Sequence, residues 1–493
     1  MRTLLLAAAL VLGGATAAHA ETSCADLAKT RLPHAEVTQA IEADAGGKPA
    51  CKVLVTSRPT ADSDIRIEVW IPRGEAWNGK YVQVGNGGLA GAVPSAAIKA
   101  RAASGYASAG TDDGHEADGR SAEWAYRHPE KIKDFAWRSL KATTDAAKAL
   151  ISAQKGVAYI RSYFIGCSAG GREALMEAQR FPDDFDGIVA GAPANYNTLG
   201  TAGRAYMMQA LSKPGAYLGK SQLELLQTAA LKQCADGGPF IRDEAACRFD
   251  PKVLQCKSGQ SGDGCLTAPQ VAAARAIYSG RRIGDRSVFP GYMPGAEALQ
   301  GSYQSWITGP TAEANNKAAG YMFSSQVMKY FIYDDPRFDF LKADLGPKFD
   351  RDSRQAAKTI DAVSPDLTAF TRHGGKLIQY HGWNDPALAP RGSIRYAGEL
   401  KARMGDTSGF YRLYMVPGML HCRGGAGPNE VDWLGVMDDW VSHTKPPGPI
   451  VAVAGDNKQA AAKSQLLCPY PAVARGKGDE ASAYRCEMRK KKE

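Results

Sequence analysis

The pentapeptide Gly166-Cys167-Ser168-Ala169-Gly170 constrains the fold around it more than any other stretch of this chain. It fits G-x-S-x-G. The buried-strand pattern Ser162-Tyr163-Phe164-Ile165 precedes it, and a helix is predicted after it, from Gly170 to Arg180. A serine on such a strand-to-helix turn occupies an unfavourable backbone region, and small neighbours relieve the crowding. The turn only works at the carboxyl edge of a parallel sheet, so the remaining sequence has to supply one.

It does so in two instalments. Tyr81–Val84 is β-rich and ends in Gly85-Asn86-Gly87-Gly88, and Tyr106–Ala109 is a weaker strand candidate before Thr111-Asp112-Asp113-Gly114-His115. Asp134–Gln154 carries Phe135, Leu140, Ala147 and Leu150 at helical spacing, and Gly187–Ala190 reads as a further strand. Strands alternating with helices predict an α/β fold with a parallel sheet. From Asn195 to Leu367 no such repeat can be traced. The rhythm resumes with a strand at Gly375–Tyr380, a helix near Ser393–Met404 and a strand at Tyr411–Val416. The predicted organisation is a catalytic domain over 21–194 and 368–493, with a lid domain, 195–367, inserted between two of its strands.

Composition removes other classes. With 44% hydrophobic and 23% charged residues the chain matches ordinary globular proteins rather than disordered or low-complexity ones. The net charge of +9 is spread out apart from Arg489-Lys490-Lys491-Lys492, so it reads as solvation and no nucleic-acid partner is expected. Residues 1–20 combine Arg2, the apolar run Leu4–Leu12 and Ala18-His19-Ala20, the layout of a secretory signal peptide and too short a run to anchor in a membrane. The expected location is secreted or periplasmic.

Export makes the ten cysteines informative, because an even set in an oxidising compartment reads as disulfides. Local spacing suggests Cys24–Cys51, Cys234–Cys247, Cys256–Cys265 and Cys468–Cys486, which leaves Cys167 and Cys422 to pair. A zinc site would need a C-x-x-C pair or a tight Cys/His cluster, and neither occurs.

A serine nucleophile needs a base, and the base needs an orienting carboxylate, in the chain order Ser, Asp or Glu, His. His421, in Pro417-Gly418-Met419-Leu420-His421-Cys422, follows the Tyr411–Val416 strand, where that histidine belongs. His443 reads as surface, His373 as part of a polar turn, and His381 as structural or supporting. Asp385 lies in a loop after a strand and before His421; Asp406, at a helix end, is the poorer choice. Cys167 and Cys422 each adjoin a proposed triad member. If Ser168 and His421 meet, their neighbours fall within disulfide range. The Ala169 N–H, at a helix N-terminus, is placed to bind an oxyanion.

The Cys-Ser, Asp and His-Cys segments together resemble the tannase/feruloyl esterase family, which includes hydrolases of mono(hydroxyethyl) terephthalate. Gly85–Gly91, Thr111–His115, Phe181–Gly187 and Cys468-Pro469-Tyr470-Pro471 are similar to it as well. The resemblance implies an α/β-hydrolase core, a lid that shapes the acyl pocket, five disulfides and hydrolysis of aromatic esters. It also implies a second oxyanion N–H from Gly87 or Gly88. Lid residues Trp306, Tyr321 and Phe323 are candidates for an aromatic wall. In the family the lid carries a calcium loop between two cysteines. Here the Cys234–Cys247 stretch is shortened, and Asp236 and Asp243 remain as its remnants, too few for the six to eight oxygens calcium takes. No cofactor is therefore expected, and the expected partner is a small aromatic ester. The competing classes are a general or aliphatic carboxylesterase and a non-catalytic binding protein on the same fold. The complete triad order argues against the latter.

Overall fold

The computed structural model describes residues 21–260 and 262–489, so the expected signal peptide lies outside the described residues. The strands are β1 (Ala35–Asp44), β2 (Pro49–Ser57), β3 (Ile65–Pro72), β4 (Lys80–Val84), β5 (Ala107–Thr111), β6 (Arg161–Cys167) and β7 (Gly187–Gly191). A short hairpin, β8 (Arg281–Ile283) and β9 (Arg286–Phe289), stands apart, and β10 (Lys376–Gly382) and β11 (Tyr411–Val416) return to the sheet. Nine strands pair in the order β1-β2-β3-β5-β4-β6-β7-β10-β11. From β5 to β11 every pair is parallel, while β1, β2 and β3 meet their neighbours antiparallel. The fold is the α/β-hydrolase type with a mostly parallel central sheet.

The parallel strands are apolar on both faces because helices cover both. Phe164 of β6, Ile188 of β7 and Leu377 of β10 face one cluster, which includes Leu140, Leu150 and Leu175. Their neighbours Tyr163, Val189 and Ile378 face the other, with Trp433, Met437 and Trp440 of the helix Trp433–His443. Alternation along each strand thus assigns one residue to each layer. Within the central sheet, the three N-terminal strands are what sequence reading missed. They connect without intervening α-helices, so the strand-helix rhythm that revealed the rest carries no trace of them.

Between β7 and β10 the chain builds a second hydrophobic cluster around Met207, Leu226, Ile277, Ile307 and Phe349. The two ends of this excursion are fastened together. The Ala362 N–H donates to the Asn195 carbonyl (3.0 Å), and the Thr198 N–H and hydroxyl both donate to Asp361 (2.9 and 2.7 Å).

All ten cysteines are paired, as Cys24–Cys51, Cys167–Cys422, Cys234–Cys247, Cys256–Cys265 and Cys468–Cys486. No helix among the described residues is long and apolar enough to cross a membrane.

Candidate active site

Sheet register brings the chemistry to one edge. Cys167 at the end of β6 pairs with Gly191 of β7, and His381 of β10 pairs with Met415 of β11. The loops leaving the carboxyl ends of β4, β6, β10 and β11 therefore emerge side by side, and they carry Gly87, Ser168, Asp385 and His421.

Ser168 sits at φ 65°, ψ −119°, a region that L-residues avoid at a cost of roughly 1–3 kcal/mol. Backbone bonds hold it there. Its N–H donates to the Gly191 carbonyl (3.0 Å), and its own carbonyl accepts from Arg172 (3.1 Å) and Ala194 (3.0 Å). The flanking glycines are required by close approach: a Cβ on Gly166 would lie 2.5 Å from the Gly170 backbone. The helix Ala169–Arg180 starts immediately after the serine, so the Ala169 N–H has no intrahelical partner, while the Gly170 N–H donates to the Asn86 carbonyl (2.8 Å).

Asp385 is buried, and each of its oxygens has two partners. Oδ2 lies 2.7 Å from His421 Nδ1 and 3.1 Å from His381 Nε2; Oδ1 accepts the N–H groups of Ala387 (2.7 Å) and Leu388 (3.0 Å). Burial by itself would raise the carboxyl pKa. The His421 charge and the hydrogen bonds from both imidazoles outweigh that and hold it well below the usual carboxylate range. His381 is fixed on its other side by the Ser393 hydroxyl, 2.7 Å from Nδ1. His421 Nε2 has no hydrogen-bond partner among the described residues. His443 is largely exposed at the end of its helix, Asp406 lies in an exposed turn bonded to Ser408, and His373 faces Asp183 across 3.7 Å, all away from the site.

Ser168 and His421 line one cavity of about 320 Å³ together with Gly87, Gly88, Ala169, Trp306 and Phe323. Trp306 and Phe323 stack (ring centroids 6.1 Å apart, 14° between planes), and Trp306 meets the His421 ring edge-on at 5.3 Å. Tyr321 is not part of this wall. It packs against Phe340 at 4.7 Å in the second hydrophobic cluster, because two residues along a helix turn a side chain to nearly the opposite face.

Sequence reading missed Arg204, which also lines the cavity. Its residue is 8% exposed, one guanidinium nitrogen donates to Thr201 (3.0 Å), and Nε has no acceptor. Among the described residues no carboxylate forms an ion pair with it. A signal existed: Arg204 is the one charged residue in the helix Asn197–Leu211.

Asp236 and Asp243 do not fit a calcium site. Asp243 is already neutralised by Arg475 (2.6 Å) and Arg489 (3.0 Å), and Asp236 is an exposed turn residue. Asp263, in the neighbouring Cys256–Cys265 loop, accepts from Ser221 and Gln222.

The Cys167–Cys422 bond spans 6.1 Å between Cα atoms and ties the residue before Ser168 to the residue after His421. It closes a loop of 255 positions, worth roughly 5 kcal/mol as an upper figure in the chain-entropy model. A Cys167→Ala, Cys422→Ala double variant is expected to lose ester hydrolysis while far-ultraviolet circular dichroism stays close to wild type. Equal loss of both signals would make the bond a global staple only, and a free thiol at either position in non-reducing peptide maps would remove it.

A family model described as "Tannase and feruloyl esterase" matches residues 51–487. An uncharacterized esterase of Xanthomonas campestris pv. campestris is 35% identical, over 99% of this chain and 94% of that one. A probable feruloyl esterase B-2 of Aspergillus terreus is 30% identical, over 79% and 72%. Among solved structures, feruloyl esterase B from Aspergillus oryzae superposes with a TM-score of 0.85 at 24% identity, covering 94% of this chain and 99% of that one, a likeness of fold.

Proposed function

Because the chain belongs to the tannase and feruloyl esterase family, and is therefore a carboxylic ester hydrolase, we propose that it cleaves esters of aromatic acids through an acyl-enzyme on Ser168. The Ser168 hydroxyl attacks the ester carbonyl while His421 Nε2 takes its proton. Asp385 holds His421 Nδ1–H and stabilises the imidazolium. The Ala169 N–H and one from Gly87 or Gly88 receive the oxyanion. His421 returns the proton to the leaving alcohol, and water then cleaves the acyl-enzyme by the same route. The observation that carries this reading is the 2.7 Å bond between Asp385 and His421 on a cavity wall that also holds the strained Ser168. Asp385, held well below the usual carboxylate range, stays ionised and keeps accepting from His421 Nδ1–H.

The stacked Trp306–Phe323 pair supports a flat acyl group. Arg204 supports oxygen substituents on that ring: a buried guanidinium without a counter-ion gains most from an acidic or hydroxylated one. The full set of paired cysteines supports an oxidising compartment, hence a secreted or periplasmic enzyme.

The test is kcat/KM for gallate, ferulate and hydroxyethyl terephthalate esters against methyl butyrate and methyl octanoate, compared at matched leaving group. Aromatic acyl groups are expected to lead, and faster aliphatic turnover throughout would make this a general esterase. Arg204→Met is expected to lower kcat/KM for hydroxylated or carboxylated rings by about 10–100-fold, the scale of one to three kcal/mol for a lost charged hydrogen bond. An unsubstituted benzoyl ester should change little. An equal loss on both would give Arg204 a purely structural role.

A further inference from the structure

Behind the loop that carries Gly87 and Gly88 lie two fully buried carboxyl groups, Asp113 and Glu173. Glu173 projects from the helix that begins at Ala169, and Asp113 from the loop after β5, in the left-handed region at φ 65°. Each has one oxygen in ordinary use. Glu173 Oε2 accepts the Asn86 N–H (2.9 Å), and Asp113 Oδ1 accepts the Ser139 hydroxyl (3.1 Å). The second oxygen of each, Glu173 Oε1 and Asp113 Oδ2, is buried without a donor, although the two side chains are within hydrogen-bonding reach of each other.

Two touching carboxylates in a dry interior repel each other, and a single proton between them turns that repulsion into a hydrogen bond. The charges nearby agree. Arg172, also fully buried, donates to the Phe135 and Ala136 carbonyls and lies 4.0 Å from Glu173. One guanidinium and two carboxyls holding one proton sum to zero; two ionised carboxylates would leave a net negative charge just behind the point where the oxyanion forms. Asn86 is the mechanical link. Besides its N–H bond to Glu173, its carbonyl accepts the Gly170 N–H (2.8 Å) and its amide donates to the Thr111 carbonyl (2.8 Å). Gly85 and Gly170 approach so closely that a Cβ on Gly85 would sit 2.7 Å from Gly170 Cα. The glycine loop is thus clamped to the first turn of the serine's helix through Glu173.

We infer that Asp113 and Glu173 are positioning residues that share one proton, and that this proton-sharing pair holds the Gly87–Gly88 loop against the Ala169 helix turn in register for the oxyanion. The inference rests on the serine mechanism proposed above. Burial pushes both carboxyls upward, and Glu173 opposes ionisation of Asp113 further; together these outweigh the Arg172 charge and the Asn86 amide, which favour the ionised forms. The other groups facing the pair are Arg172 and the buried Glu177 on the same helix, Asp112 beside it, pushed up to about 7 by burial, His115, held down at about 4 by burial, and Asp361, which acts on Arg172. Rising pH that strips the shared proton therefore opposes catalysis.

Glu173→Gln separates this role from simple packing. The glutamine oxygen still accepts from Asn86, and its NH₂ donates permanently to Asp113, replacing the shared proton. Asp113→Asn does the same from the other side. Both variants are expected to keep kcat within about threefold of wild type, whereas Glu173→Leu, which strands the Asn86 N–H, is expected to lose roughly a hundredfold in kcat with little change in KM, the scale of one lost oxyanion donor. Infrared difference spectra at neutral pH between wild type and either amide variant should show a buried, protonated carboxyl C=O stretch that the variant lacks. Glu173→Gln and Asp113→Asn both as inactive as Glu173→Leu, or a wild-type spectrum without that band, would overturn the pair. These results are distinct from failure of the serine mechanism, which would show as hydrolysis persisting in Ser168→Ala whatever the state of the pair.

Discussion

Ser168→Ala is expected to lower turnover of any ester substrate by on the order of 10⁶, to the residual rate that binding and the oxyanion donors provide. The loss is chemical, because the serine contributes little to the fold. The bonds that hold position 168 in its left-handed turn run through its backbone N–H and carbonyl to Gly191, Arg172 and Ala194, and alanine keeps all of them. Alanine also tolerates that turn no worse than serine, since both carry one Cβ substituent in the same strained region. Thermal unfolding of Ser168→Ala should therefore match wild type within about 1 kcal/mol, the range of substitutions that disturb no packing. A variant that folds alike and keeps a tenth of the activity would refute the mechanism.

Asp385→Asn is expected to cost about 10⁴ in turnover, and the hydrogen-bond inventory says why. Both carboxylate oxygens act only as acceptors. Oδ2 faces the two imidazoles, and Oδ1 faces the N–H groups of Ala387 and Leu388. An asparagine has one oxygen and one NH₂, so one side must now present donors to donors. The backbone N–H groups cannot change, whereas an imidazole can move its proton. The amide oxygen therefore turns to the loop, and NH₂ turns to His421, which must then accept at Nδ1 and carry its proton on Nε2. In that tautomer His421 cannot take the Ser168 proton. The opposite flip would leave the loop donors unpaired at about 1–3 kcal/mol each and preserve more activity. A large kcat loss with near-normal stability is the expected outcome. Near-normal kcat with a marked drop in melting temperature would show that the amide had flipped the other way.

Much of this site could be read from the chain because its parts are local. The serine turn is a contiguous pentapeptide between a strand and a helix, and His421 and Asp385 each follow a recognisable strand of the same sheet. Cys167 and Cys422 were left over once nearer cysteines were matched, and their positions beside Ser168 and His421 pointed to each other. What could not be read depends on direction. Trp306 and Phe323 face the cavity while Tyr321 faces the second hydrophobic cluster, and an isolated helix of aromatic and small residues does not say which side is which. The antiparallel strands β1, β2 and β3 lay outside the helix-strand rhythm. Asp243 looked like a metal-ligand remnant until Arg475 and Arg489, more than 230 positions further on, were found beside it. The Asp113–Glu173 pair is likewise a contact between elements far apart in the chain, which no local pattern announces.

The account turns on one covalent bond, and an active-site-directed sulfonyl fluoride or fluorophosphonate measures it directly. Treated to complete inactivation and read by intact mass and peptide mapping, the protein should carry one adduct per chain, on the peptide containing Ser168, with hydrolysis lost in proportion to labelling. The same treatment should leave Ser168→Ala unmodified. Full labelling of Ser168 with hydrolysis intact, or inactivation through an adduct at another residue, would contradict it.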